Sequence, residues 1–466
     1  MGGLVTRLTA PLRKFSARFS YFGVLSLAES LVLVVSYFVA LRMLIQHSGI
    51  EYAGLWSLTM GFVTLIRVLD LTGATGLARM VALKRDDPRQ AAEYIDTLSL
   101  IVLVFYSLFV IASYVPLHRF FESFLEPAMQ AEGLAVFAVA MIALPINLVN
   151  AAQISAVDGI GRADMRAIIN MASMVLFLFL TWILLPQYGI LGMAYAQISQ
   201  FAVALLASRI FLARSVSALS FLPLALSKTA AGETLRYGAK LQLSAIPMAI
   251  FDPVARVLLG RVAGLEFLAH YDIAYKLAGY TRNLVRAYLT PMLPQFSRLS
   301  VTDEEAGRQL LSETSVSIAR VVSVLFVALI AASPLFSLFM FSEISYEFIL
   351  FTAALSLGWG LTTFGLVTQL YARACNVLRW SIMGQWAMLA LFVPAIFATS
   401  AYLDDIYLPI ALSIVVLAGH AFAFFGEVRS LKLAPFASSK SLLPWAAGFI
   451  GMALVVIVVT LMQLAD

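Results

Sequence analysis

The chain is 466 residues long, 61% apolar and only 12% charged, with a net charge of +5. A water-soluble globular protein carries about 25% charged residues, so a soluble chain is excluded. The positive charges are scattered over short loops rather than gathered in a basic domain, which excludes a nucleic-acid binder, and the single Cys375 excludes an internal disulfide framework.

Apolar runs of roughly 20 residues, enough to span a hydrocarbon core, recur along nearly the whole chain. Period-2 alternation is absent, so the spans are helices, which satisfy their own backbone hydrogen bonds in lipid. The pattern predicts an all-α polytopic membrane protein with thirteen transmembrane helices, within a range of twelve to fourteen. In chain order they are 19–46, 52–79, 94–116, 134–157, 167–186, 189–213, 238–262, 266–298, 314–340, 348–372, 379–400, 407–428 and 443–463. The first follows a basic lead (Arg7, Arg13, Lys14, Arg18) and is too long for a cleaved signal peptide.

Sorting cations by side gives the orientation. With the N-terminus inside, the inner segments collect most of the 31 Lys and Arg, including Arg79, Lys84, Arg85 and Arg89 after span two. The outer loops are acidic, with Glu122, Glu126, Glu132, Glu343, Glu347, Asp404 and Asp405. This asymmetry predicts a cytoplasmic N-terminus.

The longest inner connection lies near mid-chain, and a repeat flanks it. Tyr52, Arg67 and Arg79 recur 219 positions later as Tyr271, Arg286 and Arg298. The expected organisation is a six-helix lobe over 1–214, a cytoplasmic linker over 215–237, a second six-helix lobe over 238–432 and an extra helix within 433–466. Two such pseudo-symmetric lobes would enclose a central cleft, as in transporters built from parallel repeats.

Charges inside spans carry the functional signal, since each costs about 2.5–3.5 kcal/mol at a helix centre. In span eight Asp272, Lys276, Gly279, Asn283 and Arg286 follow at steps of three or four and share one face, with Arg282 on the adjacent stripe. Asp272 and Lys276 either neutralise each other or face water; Arg282 and Arg286 have no acid nearby in their own helix. Arg67 is paired by the repeat with Arg286. An excess of Arg and Lys suits a phosphate-bearing anion, and Tyr275 is placed to stack on sugar or to pack between helices. The candidate substrate contacts are Arg67, Tyr275, Lys276, Arg282, Asn283 and Arg286. Glu29, Asp70, Asp252 and Asp272 are the candidates for coupling to H+ or Na+. No Walker motif, HExxH or GxSxG occurs, and neither cofactor nor metal is expected.

Four passages carry a resemblance: GATGLARMVALKRDD after span two, QYGILGMAYAQIS opening span six, AGLEFLAHYDIAYKLAG leading into span eight, and TPMLPQFSRLS closing it. In their order and positions the chain resembles the polysaccharide transporter family within the multidrug/oligosaccharidyl-lipid/polysaccharide exporter superfamily. Thirteen spans depart from that family's twelve or fourteen. The resemblance implies a flippase for an undecaprenyl-diphosphate-linked oligosaccharide, working by alternating access in O-antigen, lipopolysaccharide or exopolysaccharide export. It also implies a cationic cavity, a polysaccharide polymerase and glycosyltransferases as functional partners, and a monomer among membrane lipids. A multidrug or small-molecule exporter of the same fold and a lipid II flippase are the competing expectations.

Overall fold

The computed structural model describes residues 21–67, 74–223, 225–289, 292–433 and 439–465. Among these residues it is all-helical, with no strand. The helices are α1 (Tyr21–Ser48), α2 (Ile50–Arg67), α3 (Ala74–Leu83), α4 (Pro88–Glu122), α5 (Gln130–Gly159), α6 (Ala163–Tyr188), α7 (Ile190–Ser215) and α8 (Lys228–Val262). They continue with α9 (Gly264–Leu289), α10 (Leu293–Thr302), α11 (Glu304–Phe341), α12 (Tyr346–Phe364), α13 (Leu366–Ala374), α14 (Arg379–Tyr402), α15 (Leu408–Ser430) and α16 (Ser439–Ala465).

Among the described residues ten helices are long and apolar enough to cross a membrane, α12 and α13 together forming one of them. The three expected spans outside this set are 52–79, 238–262 and 266–298. Within the first, α2 and α3 flank residues 68–73, and within the last, α9 and α10 flank residues 290–291, both stretches lying outside the described residues. Pro294 in the first turn of α10 has no N–H to give to a preceding helix, which suits it to a helix start. The repeat agrees with the ends of the two short helices: shifted by 219, Leu83 falls on 302, the last residue of α10.

The chain divides into two compact units. One comprises Met1–His47 with Ile66–Leu243, and the other Ser48–Leu65 with Ser244–Asp466. The expected first lobe ran unbroken over 1–214, whereas residues 48–65, most of α2, group with the C-terminal half.

In the first unit α4, α5, α6 and α7 pack in neighbouring pairs and α3 lies on α5. That last contact is close because position 159 is glycine: a Cβ there would stand 2.7 Å from the carbonyl oxygen of Ala78. Asp87 caps α4 through the N–H groups of Arg89 and Gln90. The bond from the Gln90 N–H holds its carboxyl below the usual carboxylate range. The connection after α7 is tied down by buried Arg209, which donates to Asp96 at 2.6 Å and to the carbonyls of Ser220 and Phe221. Thr97 accepts from the Ser227 N–H, and Tyr94 donates to Glu233.

In the second unit α12 is the central helix, touching α9, α11, α15 and α16. Its small residues permit this crowding, as in membrane helix pairs generally. A Cβ at Gly358 would meet Ser413 of α15 at 2.8 Å, and one at Gly360 would meet Phe449 of α16 at 2.5 Å. The thirteenth expected span, α16, is therefore seated against α12, and its Trp445 carbonyl accepts from Ser323 of α11. On the other side α2 lies against α8 and α9. A Cβ at Gly54 would fall 1.9 Å from the Leu265 carbonyl oxygen, and one at Gly61 would lie 3.0 Å from Arg256 Cβ.

Candidate anion-binding site

Two charged clusters lie in the second unit, and α9 contributes to both. Its five charged side chains keep it out of the apolar set. They are accommodated because α9 is extensively buried against protein, with Asp272 and Arg282 both inside.

The first cluster is an ion network. Asp272 accepts from Arg256 Nε at 2.8 Å and from Lys276 Nζ at 2.5 Å. Arg256 also bonds Asp252 at 2.9 Å, one turn before it on α8. Two carboxylates and two cations balance. Burying an ion costs several kcal/mol unless opposite charges and hydrogen bonds offset it, and here each charge has an opposite neighbour. Lys276 is thereby tied to Asp272, and Asp252 and Asp272 are held by Arg256.

The second cluster is cationic. Arg282 is buried, with its Cζ 4.7 Å from the Trp359 ring centroid, a cation–π geometry. Its Nη2 lies 3.4 Å from His420 Nε2. His420 Nδ1 is 2.9 Å from the Val416 carbonyl oxygen, so Nδ1 carries the proton and the neutral Nε2 accepts from Arg282. Arg282 Nε is buried with no hydrogen-bond partner. Arg286, one turn on, and Arg373 at the end of α13 are both near enough to act on its charge, and both are exposed. Tyr275 sets its ring edge-on to Trp359 at 5.8 Å and stacks on Tyr271. Asn283 is exposed on the same helix.

This arrangement offers guanidinium groups in excess of acids, an unused buried N–H and an aromatic platform. It can receive an anion with several oxygen acceptors next to a group with an apolar face.

The remaining expected residues are elsewhere. Glu29, buried on α1, accepts from Arg166 at 2.7 and 2.8 Å and from Asn170 at 2.7 Å. Arg166 also holds Asp158 at 2.9 Å. Arg67 is exposed in the last turn of α2 and belongs to the first unit. Asp70 lies outside the described residues. Sequence reasoning did not select Trp359, Arg373, His420 or Glu427. The only local signal was the seven-residue spacing of His420 and Glu427, which puts both on one face of α15.

Residues 54–350 match the family model described as polysaccharide biosynthesis protein. No curated protein matches the sequence. Among solved structures, the chain is similar to an inward-facing multidrug resistance MATE family transporter of the MOP superfamily. The TM-score is 0.72 at 16% identity, covering 86% of this chain and 98% of that one. It is also similar to a MOP superfamily transporter from Pyrococcus furiosus described as having a binding pocket of reverse polarity, with a TM-score of 0.56 at 16% identity over 87% of this chain and 96% of that one. The outward-facing MATE transporter gives a TM-score of 0.55 at 16% identity over 87% and 96%. At these identities the likeness is one of fold.

Proposed function

Since the chain belongs to the polysaccharide biosynthesis protein family, we propose that it is a flippase for a lipid-linked oligosaccharide. The substrate is an undecaprenyl-diphosphate-linked glycan, moved from the cytoplasmic to the outer leaflet by alternating access for surface polysaccharide export. The observation that carries this reading is the cationic cluster of Arg282, Arg286 and Arg373 beside Trp359. A diphosphate diester presents oxygens to guanidinium forks, which bind phosphate bidentately, and the first sugar has an apolar face for Trp359 or Tyr275. The charge sorting supports a cytoplasmic N-terminus in the inner membrane. An inside-negative potential then drives an uncompensated negative charge outward by about 2.3 kcal/mol per 100 mV.

The test is flipping of a fluorescent undecaprenyl-diphosphate glycan in proteoliposomes. Arg282→Ala and Arg286→Ala are expected to slow it strongly, and wild-type rates in both would refute the assignment. The fold likeness to MATE transporters favours multidrug export as the second reading. A cationic drug would be repelled by this cluster, so efflux of a cationic dye from the same vesicles is expected to be absent.

A further inference from the structure

Glu427 lies two turns beyond His420 on α15. It is fully buried, and neither carboxylate oxygen has a hydrogen-bond partner. Water is kept from this turn by Trp380 of α14, whose ring closes on Gly426; a Cβ there would come within 2.2 Å of it. Arg373, at the end of α13, is near enough for its charge to act on Glu427, without a hydrogen bond between them. A buried ionised carboxylate without a donor costs several kcal/mol, whereas a neutral carboxyl group costs far less.

We infer that Glu427 is a proton-binding site built into the anion site, acting as an internal competitor for Arg373. With a proton on Glu427, Arg373 is available to the phosphate oxygens of the substrate. Without it, the carboxylate takes Arg373 for itself and the substrate is displaced. Anion capture and proton retention are then linked, and by reciprocity each strengthens the other. The inference rests on the diphosphate reading above and adds to it a way of releasing the substrate.

The other charged groups around this turn do not duplicate the role. His420, on the same face, is taken up by Val416 and Arg282. On α14, Arg379 lies over Trp380 at 5.4 Å. On α11, Arg308 pairs with Glu304 at 2.6 Å and reaches the Leu431 carbonyl. Arg429 is exposed in the last turn of α15. A Cβ at Gly365, the residue joining α12 to α13, would lie 3.6 Å from Phe424, and neither residue titrates.

The experiment measures binding of geranyl-diphospho-N-acetylglucosamine, a diester with no titrating phosphate near neutrality, to the full-length protein in detergent. From mildly acidic to mildly alkaline pH the wild-type affinity is expected to fall roughly tenfold. Glu427→Gln should keep the acidic-side affinity throughout, and Arg373→Gln should bind weakly with no pH slope. A wild-type slope surviving in Glu427→Gln would assign it to His420 and overturn the inference. If wild type does not bind the probe at all, the diphosphate reading fails instead. Infrared difference spectroscopy then decides the proton site: a protonated-carboxyl band at neutral pH that disappears in Glu427→Gln upholds it, and its absence from wild type overturns it.

Discussion

Arg282 and Trp359 stand 77 positions apart in sequence, yet the guanidinium lies 4.7 Å from the indole ring. The contact places a buried positive charge on a flat aromatic surface while one of its N–H groups is left unused. Planarity is what the site exploits. Arg282→Lys keeps the charge but loses the fork and the stacking surface. It is expected to weaken binding of the diphosphate probe by about tenfold or more, since a hydrogen bond to a charged group is worth about 1.5–3 kcal/mol. Titration calorimetry on the purified protein checks this.

Asp272→Ala removes the acid shared by Arg256 and Lys276. Two cations would be left with Asp252 as their one remaining acid, and breaking a buried pair costs about 3–5 kcal/mol. The expected result is a much lower unfolding temperature in detergent, or no folded protein. Asp272→Asn, which keeps the shape, should fall between it and wild type.

Gly54 and Gly279 should respond in opposite directions to the same substitution. A methyl at position 54 collides with the backbone of Leu265, which has no rotamer by which to escape. Overpacking of this kind costs about 1–3 kcal/mol, occasionally more. At Gly279 nothing lies within 4 Å of the new Cβ. There alanine should stabilise α9 by about 0.4–1 kcal/mol through the unfolded chain alone. Thermal unfolding of the two variants side by side reads out the contrast.

Arg209→Ala should free the connection after α7. The side chain bonds the Ser220 and Phe221 carbonyls, so its loss takes that donor from them and leaves buried Asp96 without its cation. Limited proteolysis is expected to cut between 216 and 227 much faster than in wild type, with the helices on either side left intact.

The parts of this architecture legible in sequence were those that repeat along one helix. Apolar runs placed ten spans, and the i,i+4 spacing made Asp272 and Lys276 a candidate pair, one of the two readings open to them. Contacts between helices left no such trace. Arg256 reaches Asp272 from another helix, and Arg282 meets His420 across 138 positions. Nothing in the sequence around Glu427 marks its full burial. A one-dimensional pattern records which face a residue occupies, but not which partner that face meets.

The seating of α2 against α8 and α9 also has a consequence for biosynthesis. Gly54 is translated 211 residues before Leu265, the backbone it lies against. At about 5–20 residues per second, α2 must remain in the bilayer for roughly 10–40 s before its partner emerges from the ribosome. For that interval its glycine face lacks the α9 backbone it lies against in the finished fold. Docking of the second unit's earliest-made helix therefore waits on synthesis of more than half the chain, and a ribosome that stalls before α9 leaves α2 stranded.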